Sequence, residues 1–424
     1  MIQFLLKGIL RDRSRSVLPV IVVAIGVFIS VFMYSWMKGI FGDVIRLNAN
    51  FTTGHVKVMT RAYAENSSQL PIDLALLDVS ELIGELEADY PDMEWVERIR
   101  FGGLIDVPDE NGETKTQGPA FGQAVDLLSP DTKEPQRMNM EKSLRRGRLP
   151  SASGEVLLSE DFAQKLKVDM GQEVMLFGST MDGGMAFKNF KVVGTVSFGS
   201  IALDRGAIIV DITDAQQALD MRDAASEILG YFGNNIYDDE KAAQLATSFN
   251  EKFEDDPDEF APEMYRLKEM SGMASYMEMA DSFGAILVSV FVFAMSIVLW
   301  NTGLLGGLRR YSEFGVRLAL GEGKGHIYKT LIYEAILIGI IGSIVGTAFG
   351  VALGFYMQEH GIDFSSLMKN SSMMLPQVYR AVVTPTSFII GFIPGLISMV
   401  VGTALSGIGI YKRQTAQLFN ELEV

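Results

Sequence analysis

Four long apolar runs without a charged residue constrain the fold of this chain more than any other feature. They occupy residues 17–37, 282–307, 335–358 and 381–411. Each reaches or exceeds the roughly 20 residues that an α-helix needs to cross about 30 Å of hydrocarbon. The sequence therefore predicts an α-helical membrane protein with four transmembrane helices.

The distribution of charge predicts how these helices are oriented. The formal net charge is −16, yet residues 1–17, 307–329 and 411–424 together carry +6, so the rest of the chain carries −22. Short basic segments stay on the cytoplasmic side of a membrane. Both termini and the segment 307–329 are therefore predicted to be cytoplasmic, and an acidic outer domain argues against nucleic-acid binding.

Residues 39–280 are predicted to form a large mixed α/β extracytoplasmic (periplasmic) domain inserted between transmembrane helices 1 and 2. Residues 154–177, GEVLLSEDFAQKLKVDMGQEVMLF, read as strand, helix, turn and strand. The Gly-, Pro- and charge-rich residues 108–150 are expected to be a loop or insertion. Residues 262–283 are expected to be a helix that extends the second span outward as a stalk, with a methionine-rich stripe.

Glycines at intervals of four mark one face of the third apolar run. They are Gly342, Gly346, Gly350 and Gly354. A stripe without side chains allows another helix to approach closely. We expect these four residues to pack against a neighbouring helix; a channel role is the alternative.

The segment 308–334, LRRYSEFGVRLALGEGKGHIYKTLIYE, is basic and connects two predicted spans. Its apolar residues are spaced for one or two short amphipathic helices, broken by glycines at 321, 323 and 325. Glu313 and Arg317 are one helical turn apart and are expected to brace each other or to reach a partner. Glu334 is expected to pair with an arginine of the segment, since an acid at the membrane edge is costly alone.

This segment resembles the RRxEIGxxRALGAxxxxIxxxxxxEA stretch of FtsX/MacB-type ABC permeases, the type VII superfamily. The residues that fall on the pattern are Arg310, Glu313, Gly315, Arg317, Ala319, Leu320, Gly321, Ile327 and Glu334, whereas Phe314 and Glu322 depart from it. In that family the segment docks on an ATPase. The resemblance implies ATPase-coupling roles for Arg310, Glu313, Gly315, Arg317, Gly321 and Glu334. An ordinary positive cytoplasmic loop is the alternative.

A second stretch resembles one particular group of permeases within this superfamily. Residues 54–59, GHVKVM, are similar to the GHIxIM stretch of lipoprotein-releasing transmembrane subunits of the LolC/LolE type. The resemblance implies a permease subunit in the bacterial inner membrane that passes ATP-driven motion of a separate ATPase to a periplasmic domain, for lipoprotein release or export of lipid-linked cargo. The alternatives are a MacB-like peptide or drug exporter subunit and an FtsX-like signalling scaffold that controls cell-wall hydrolases.

The implied partners are an ABC ATPase subunit, a second permease chain (identical or homologous), membrane lipid, and possible lipoprotein cargo with a periplasmic carrier or adaptor. The implied divisions are an interfacial helix (1–16), transmembrane helix 1 (17–38), the α/β domain with its stalk (39–280), transmembrane helix 2 (281–307), a coupling loop (308–330), transmembrane helix 3 (331–358), an outer loop (359–384), transmembrane helix 4 (385–411) and a cytoplasmic tail (412–424).

Motifs for catalysis and cofactor binding are missing from the sequence. No G-x-x-x-x-G-K-[ST] phosphate loop occurs, so ATP is expected to be bound and hydrolysed by the partner subunit. The chain has no cysteine and three scattered histidines, which form no metal-ligand spacing. No catalytic residue, metal or cofactor is expected. The outer-domain acids are predicted to be a solvated face, with a catalytic carboxylate pair as the alternative.

Overall fold

The computed structural model describes residues 13–109, 111–198, 201–270, 272–363 and 378–412. They divide into two compact units: a helical unit (described residues within 1–42, 277–363 and 378–424) and an α/β unit (described residues within 43–276). Most of the predicted interfacial helix 1–16 and cytoplasmic tail 412–424 lies outside the described residues.

The first long helix, α1 (Arg13–Asn48), extends beyond the predicted span at both ends. Because the helix begins before the predicted span, Pro19 lies inside it beyond the first turn, where proline removes one backbone hydrogen bond. At its other end α1 continues into a π-helical turn, Ala49–Thr53. Gly54 ends this turn with a φ of +61°, a conformation that favours glycine.

The α/β unit alternates strands and short helices, as its sequence pattern predicts. Its strands are β1 (Val56–Thr60), β2 (Met93–Pro108), β3 (Thr114–Val125), β4 (Leu144–Gly147), β5 (Glu155–Ser159), β6 (Glu173–Ser179), β7 (Met185–Val196), β8 (Ala207–Asp211), β9 (Glu227–Phe232) and β10 (Pro262–Arg266). Its helices are α2 (Arg61–Asn66), α3 (Val79–Asp89), α4 (Glu134–Arg137), α5 (Met140–Ser143), α6 (Glu160–Leu166), α7 (Ile201–Asp204), α8 (Ile212–Ala218) and α9 (Asp239–Asn250).

The long strand β2 organises the sheet. Its first half pairs with β9, which pairs with β1 and then β10, all antiparallel. Its second half belongs to a closed ring of pairings in the order β2–β3–β8–β5–β7–β6, in which β6 returns to β2. One apolar core, which includes Val58, Ile105, Phe162 and Ile228, runs through both halves. A smaller core around Met138 and Leu157 packs beneath α4 and α5.

Two sequence-based expectations about this unit are wrong. Residues 108–150 contain β3, α4, α5 and β4 rather than a plain loop, because β3 forms a hairpin with the preceding β2 and also pairs with the distant strand β8. Residues 262–283 are not helical throughout. Pro262–Arg266 forms the edge strand β10 against β1, where proline at the first position loses no required donor. The following helix begins only at Met273.

The helical unit contains the remaining long helices, α10 (Met273–Ala319), α11 (Lys324–His360), the short α12 (Ser387–Ile390) and α13 (Phe392–Lys412). A two-residue ladder joins β11 (Ile362–Asp363) and β12 (Val378–Tyr379). Among the described residues, four helices are long and apolar enough to cross a membrane, in agreement with the four predicted spans. At 1.5 Å per residue, the 47 residues of α10 extend about 70 Å, more than twice the hydrocarbon thickness.

Candidate coupling hairpin and helix-packing site

The predicted coupling loop 308–330 is a helical hairpin with a very short turn. Helix α10 continues through Ala319 and α11 starts at Lys324, so the helices break at Gly321 and Gly323 as expected. The two helices are long rather than short, and Gly325 lies inside α11. The chain reverses within residues 320–323 because Gly321 adopts a φ of +91°, which only glycine takes without strain. Arg310 lies within α10, and its side chain is outside the described part of the structure. We call residues 313–334 the coupling hairpin.

An ion pair closes the turn of this hairpin. Arg317 donates two hydrogen bonds to the carboxylate of Glu322, at 2.5 and 2.9 Å. This bidentate contact raises the pKa of Arg317, and the charges of Glu313 and Glu334 add to the effect. The guanidinium of Arg317 thus bonds Glu322, a residue that departs from the family pattern, instead of bracing Glu313 directly. The pairing of Glu334 with an arginine of the segment stays a prediction, because the side chains of Arg309 and Arg310 lie outside the described part of the structure.

Apolar residues divide the hairpin into a packed side and an open side. Phe314 is 2% exposed and Ile327 is fully buried, and they pack together with two partly buried leucines. Val316 and Leu320 point the other way, with 54% and 83% of their surfaces exposed. Leu320 matched the family pattern, but the sequence did not show that it would be left uncovered. An apolar residue this exposed at a basic hairpin tip suits a partner surface.

The glycine stripe of α11 lies against α1. A Cβ added at Gly346 would lie 2.5 Å from the carbonyl oxygen of Ala24, and one at Gly350 would lie 2.9 Å from the Cβ of Val31. Gly342 faces Val23 in the same way, whereas Gly354 faces Val383. Since real Cβ atoms do not approach other atoms this closely, the two helices are as near as glycine allows.

A second pair of glycines, which the sequence analysis did not single out, brings α13 into the same cluster. A Cβ at Gly391 would lie 2.7 Å from the Thr347 hydroxyl oxygen, and one at Gly395 would lie 2.1 Å from the Ser343 hydroxyl oxygen. Both positions also face Val27 of α1. The spacing of 391 and 395 repeats the four-residue signal of the first stripe. Three helices therefore meet along lines of small residues.

The described residues of the α/β unit include ionisable groups whose pKa values are perturbed. Among the described residues, no group of His, Cys, Asp and Glu is placed to hold a metal ion. Burial lowers the pKa of His55 to about 4, and its Nδ1 accepts a hydrogen bond from the Phe232 N–H at 2.9 Å. Burial also raises the pKa of Glu97 to about 7, with Asp223 and Asp126 adding to the shift.

The GHVKVM stretch is part of the core. Its alternate residues His55 and Lys57 are buried, and Lys57 forms an ion pair with the buried Glu227. Val56 and Val58, which point to the other face of β1, are buried in the main apolar core of the unit. The stretch is thus a structural signature of the domain rather than a surface that contacts a ligand.

A helical unit with four candidate spans and an α/β domain inserted after its first helix defines the class: a multi-pass membrane protein with a large inserted domain. Comparison with known families agrees. Residues 16–247 match the MacB-like periplasmic core domain, and residues 285–415 match the FtsX-like permease C-terminal domain. Because the first match covers more than half of the chain, the chain belongs to this family: it is an ABC transporter permease of the MacB/FtsX/LolC type.

Individual proteins that resemble this chain have low sequence identity to it or match only a short part of it. The lipoprotein-releasing system transmembrane protein LolC of Xylella fastidiosa is 23% identical over 236 residues, 54% of this chain and 55% of that protein. The macrolide export ATP-binding/permease protein MacB of Neisseria gonorrhoeae is 32% identical over 78 residues, 18% of this chain and 12% of that protein. The matched region therefore spans about half of the former and a small part of the latter.

A solved structure of the periplasmic region of MacB from Actinobacillus actinomycetemcomitans aligns with 53% of this chain and 94% of its own length, with 10% identity and a TM-score of 0.35.

Proposed function

We propose that this chain is the permease subunit of an ABC assembly, in which a separate ATPase docks on the coupling hairpin and drives movement of the α/β domain. The observation that carries the proposal is the hairpin itself. It connects two membrane-spanning helices, is closed by the Arg317–Glu322 pair, and leaves Val316 and Leu320 exposed. An ATPase surface that covers these two side chains removes them from water, which favours docking.

The orientation follows from the charge distribution. A hairpin with a basic excess belongs on the cytoplasmic side, where ATP is available. The proposed location is a bacterial inner membrane, with both termini in the cytoplasm and the acidic α/β domain in the periplasm. A second permease chain, identical or homologous, completes the assembly.

The proposed cargo is a lipoprotein or another lipid-linked molecule. The LolC relative, whose name refers to lipoprotein release, matches over half of this chain. The MacB relatives support a second candidate, export of a peptide or drug. Purification of the complex from membranes distinguishes lipoprotein release from a signalling role: a bound lipoprotein or carrier supports lipoprotein release, and a bound cell-wall hydrolase supports signalling instead.

Two hairpin variants test the docking proposal. Leu320→Asp places a charge in the proposed interface, and Glu313→Arg reverses a charge one turn before Arg317. Both changes lie outside the apolar spans, so the protein should reach the membrane at normal levels. We expect either variant to reduce co-purification of the ATPase. Removing one member of a desolvated interfacial charge pair costs roughly 2–5 kcal/mol, enough to lose most of the complex.

The matched control is Leu77→Asp in the α/β unit, where Leu77 is 57% exposed. This variant should bind the ATPase as wild type does. If all three variants retain the ATPase equally and hydrolyse ATP at the wild-type rate, the hairpin is an orienting loop and the docking proposal is wrong.

A further inference from the structure

The end of α1 is anchored in the α/β unit by a fully buried arginine. The last four carbonyl groups of a helix lack partners within the helix and normally face water or a cap. Here Arg98, in the middle of β2, donates hydrogen bonds to the carbonyl oxygens of Asn50 and Phe51, at 2.8 and 3.0 Å. Its side chain has 0% of its surface exposed.

Other side chains of the α/β unit complete the attachment. The Tyr231 hydroxyl donates to the carbonyl oxygen of Ala49 at 3.1 Å, and the Gln123 side-chain amide donates to that of Phe51 at 3.1 Å. The guanidinium of Arg98 is itself held by Glu134, which is 1% exposed, at 2.7 Å. The carbonyl groups that follow α1 are therefore bound by a buried, charge-assisted network instead of by solvent.

This network opposes any change in the angle between the end of α1 and the α/β unit. If the turn moved, Arg98 would lose two acceptors while it remained buried, and an unsatisfied buried charge is strongly destabilising. Charge-assisted hydrogen bonds are also about twice as strong as neutral ones.

We propose that Arg98 is a positioning residue that fixes the outer end of α1 to the α/β unit, so that movement of this helix is transmitted to the domain instead of being absorbed in the connection. The role in transmitting movement rests on the proposed function, whereas the anchoring contacts lie within the α/β unit alone.

The first experiment measures the anchor without any partner. The chain has no cysteine, so spin labels can be attached at chosen positions. Labels at Arg46→Cys and Lys165→Cys report the distance across the anchor, and labels at Glu87→Cys and Lys165→Cys report the integrity of the domain. All three sites are exposed. The test variant is Arg98→Met with Glu134→Gln, which removes both buried charges of the pair together.

The matched control is Lys57→Met with Glu227→Gln, which removes a second buried ion pair of the same unit. We expect the test variant to broaden only the distance across the anchor and to speed amide exchange of residues 49–54 on the order of tenfold, the loss of about one charged hydrogen bond. The control should leave both distances narrow. An unchanged anchor distance in the test variant, or equal broadening in the control, overturns the inference.

Arg98→Lys keeps the result interpretable if the double variant fails to fold. Lysine retains the charge beside Glu134, but its single ammonium cannot also reach both carbonyl oxygens. We expect a narrow domain distance and a broadened anchor distance in Arg98→Lys. A narrow anchor distance in this variant counts against the inference.

The second experiment tests transmission in the full complex with its ATPase. Hydrogen exchange of the α/β unit is compared without nucleotide and after trapping with ATP and orthovanadate. Wild type and the Lys57/Glu227 control should show a nucleotide-dependent difference, which the Arg98 variants lose while they still bind the ATPase. A wild-type difference in a variant with a loosened anchor refutes transmission through α1. Absence of the difference in wild type refutes the proposed function and leaves the anchor measurement standing.

Discussion

Replacing glycines of the α11 stripe with alanine should destabilise the helical unit, although alanine is the better helix former. The change proposed is Gly346→Ala with Gly350→Ala. A Cβ at these positions would lie 2.5 Å from the Ala24 carbonyl oxygen and 2.9 Å from the Val31 Cβ. The helices must move apart, and overpacking of this kind costs roughly 1–3 kcal/mol per site.

Helix propensity works in the opposite direction and favours alanine by about 0.5–1 kcal/mol per site. At the middle of both ranges, the net expectation for the double variant is a loss of about 2.5 kcal/mol in the free energy of unfolding. Gly42→Ala is the matched control, because no atom lies within 4 Å of a Cβ added at Gly42 in α1. This control should be neutral or slightly stabilising.

The assay is thermal unfolding of the purified protein in detergent, with complex yield as a second readout. The double variant should unfold at a lower temperature than wild type, and Gly42→Ala should not. If the double variant unfolds at or above the wild-type temperature, the close approach of α11 to α1 is not as described. The larger change, Gly346→Leu with Gly350→Leu, should prevent assembly of the helices, and an unchanged complex yield would refute close packing there.

Two further predictions concern pH and topology. Glu97→Gln should stabilise the α/β unit, and the gain should grow as pH rises from 4.5 to above 7. The pKa of Glu97 is raised to about 7 in the folded state, so ionisation in this range is unfavourable only when the protein is folded. The gain in the free energy of unfolding is at most about 3 kcal/mol, at 1.36 kcal/mol per pKa unit. Unfolding temperatures measured across this range check it, and a difference that does not change with pH would contradict it. Reporter fusions at Asp109 and Glu322 should report the outside and the cytoplasm, respectively, and an outside signal at Glu322 would overturn the four-span topology.

Much of the architecture could be predicted because local sequence patterns determine it. The long uncharged runs predict the transmembrane helices, since length and apolarity decide whether a helix can cross a membrane. The four-residue glycine spacing predicts close helix contact, but it cannot name the partner. That partner, α1, is fixed by tertiary packing of Val23, Val27 and Val31 against the stripe.

Features that depend on distant residues could not be predicted in the same way. Residues 262–266 have no strong strand signal of their own and become β10 because β1, two hundred residues earlier in the chain, offers a free edge. Arg98 looks like an ordinary charged residue in the sequence. Its partners Phe51 and Glu134 lie 47 and 36 residues away, so only the folded structure brings them together.

Within the coupling hairpin the family pattern identified the segment but not its contacts. The sequence suggested that Arg317 pairs with Glu313 at helical spacing. The reversal at Gly321 instead places Glu322 beside Arg317, because a left-handed residue brings the chain back over the last turn of α10. The same turn leaves Leu320 exposed.

Site-specific cross-linking tests the central claim, docking of an ATPase on the coupling hairpin, most directly. A single cysteine is introduced at Leu320, or at the similarly exposed Leu77 as a control, in a chain that contains no other cysteine. Membranes are then treated with a short thiol cross-linker. We predict a cross-linked product between position 320 and the ATPase subunit, identified by mass spectrometry, and none from position 77. Equal cross-linking from both positions, or none from position 320 in complexes that retain the ATPase, would contradict the account.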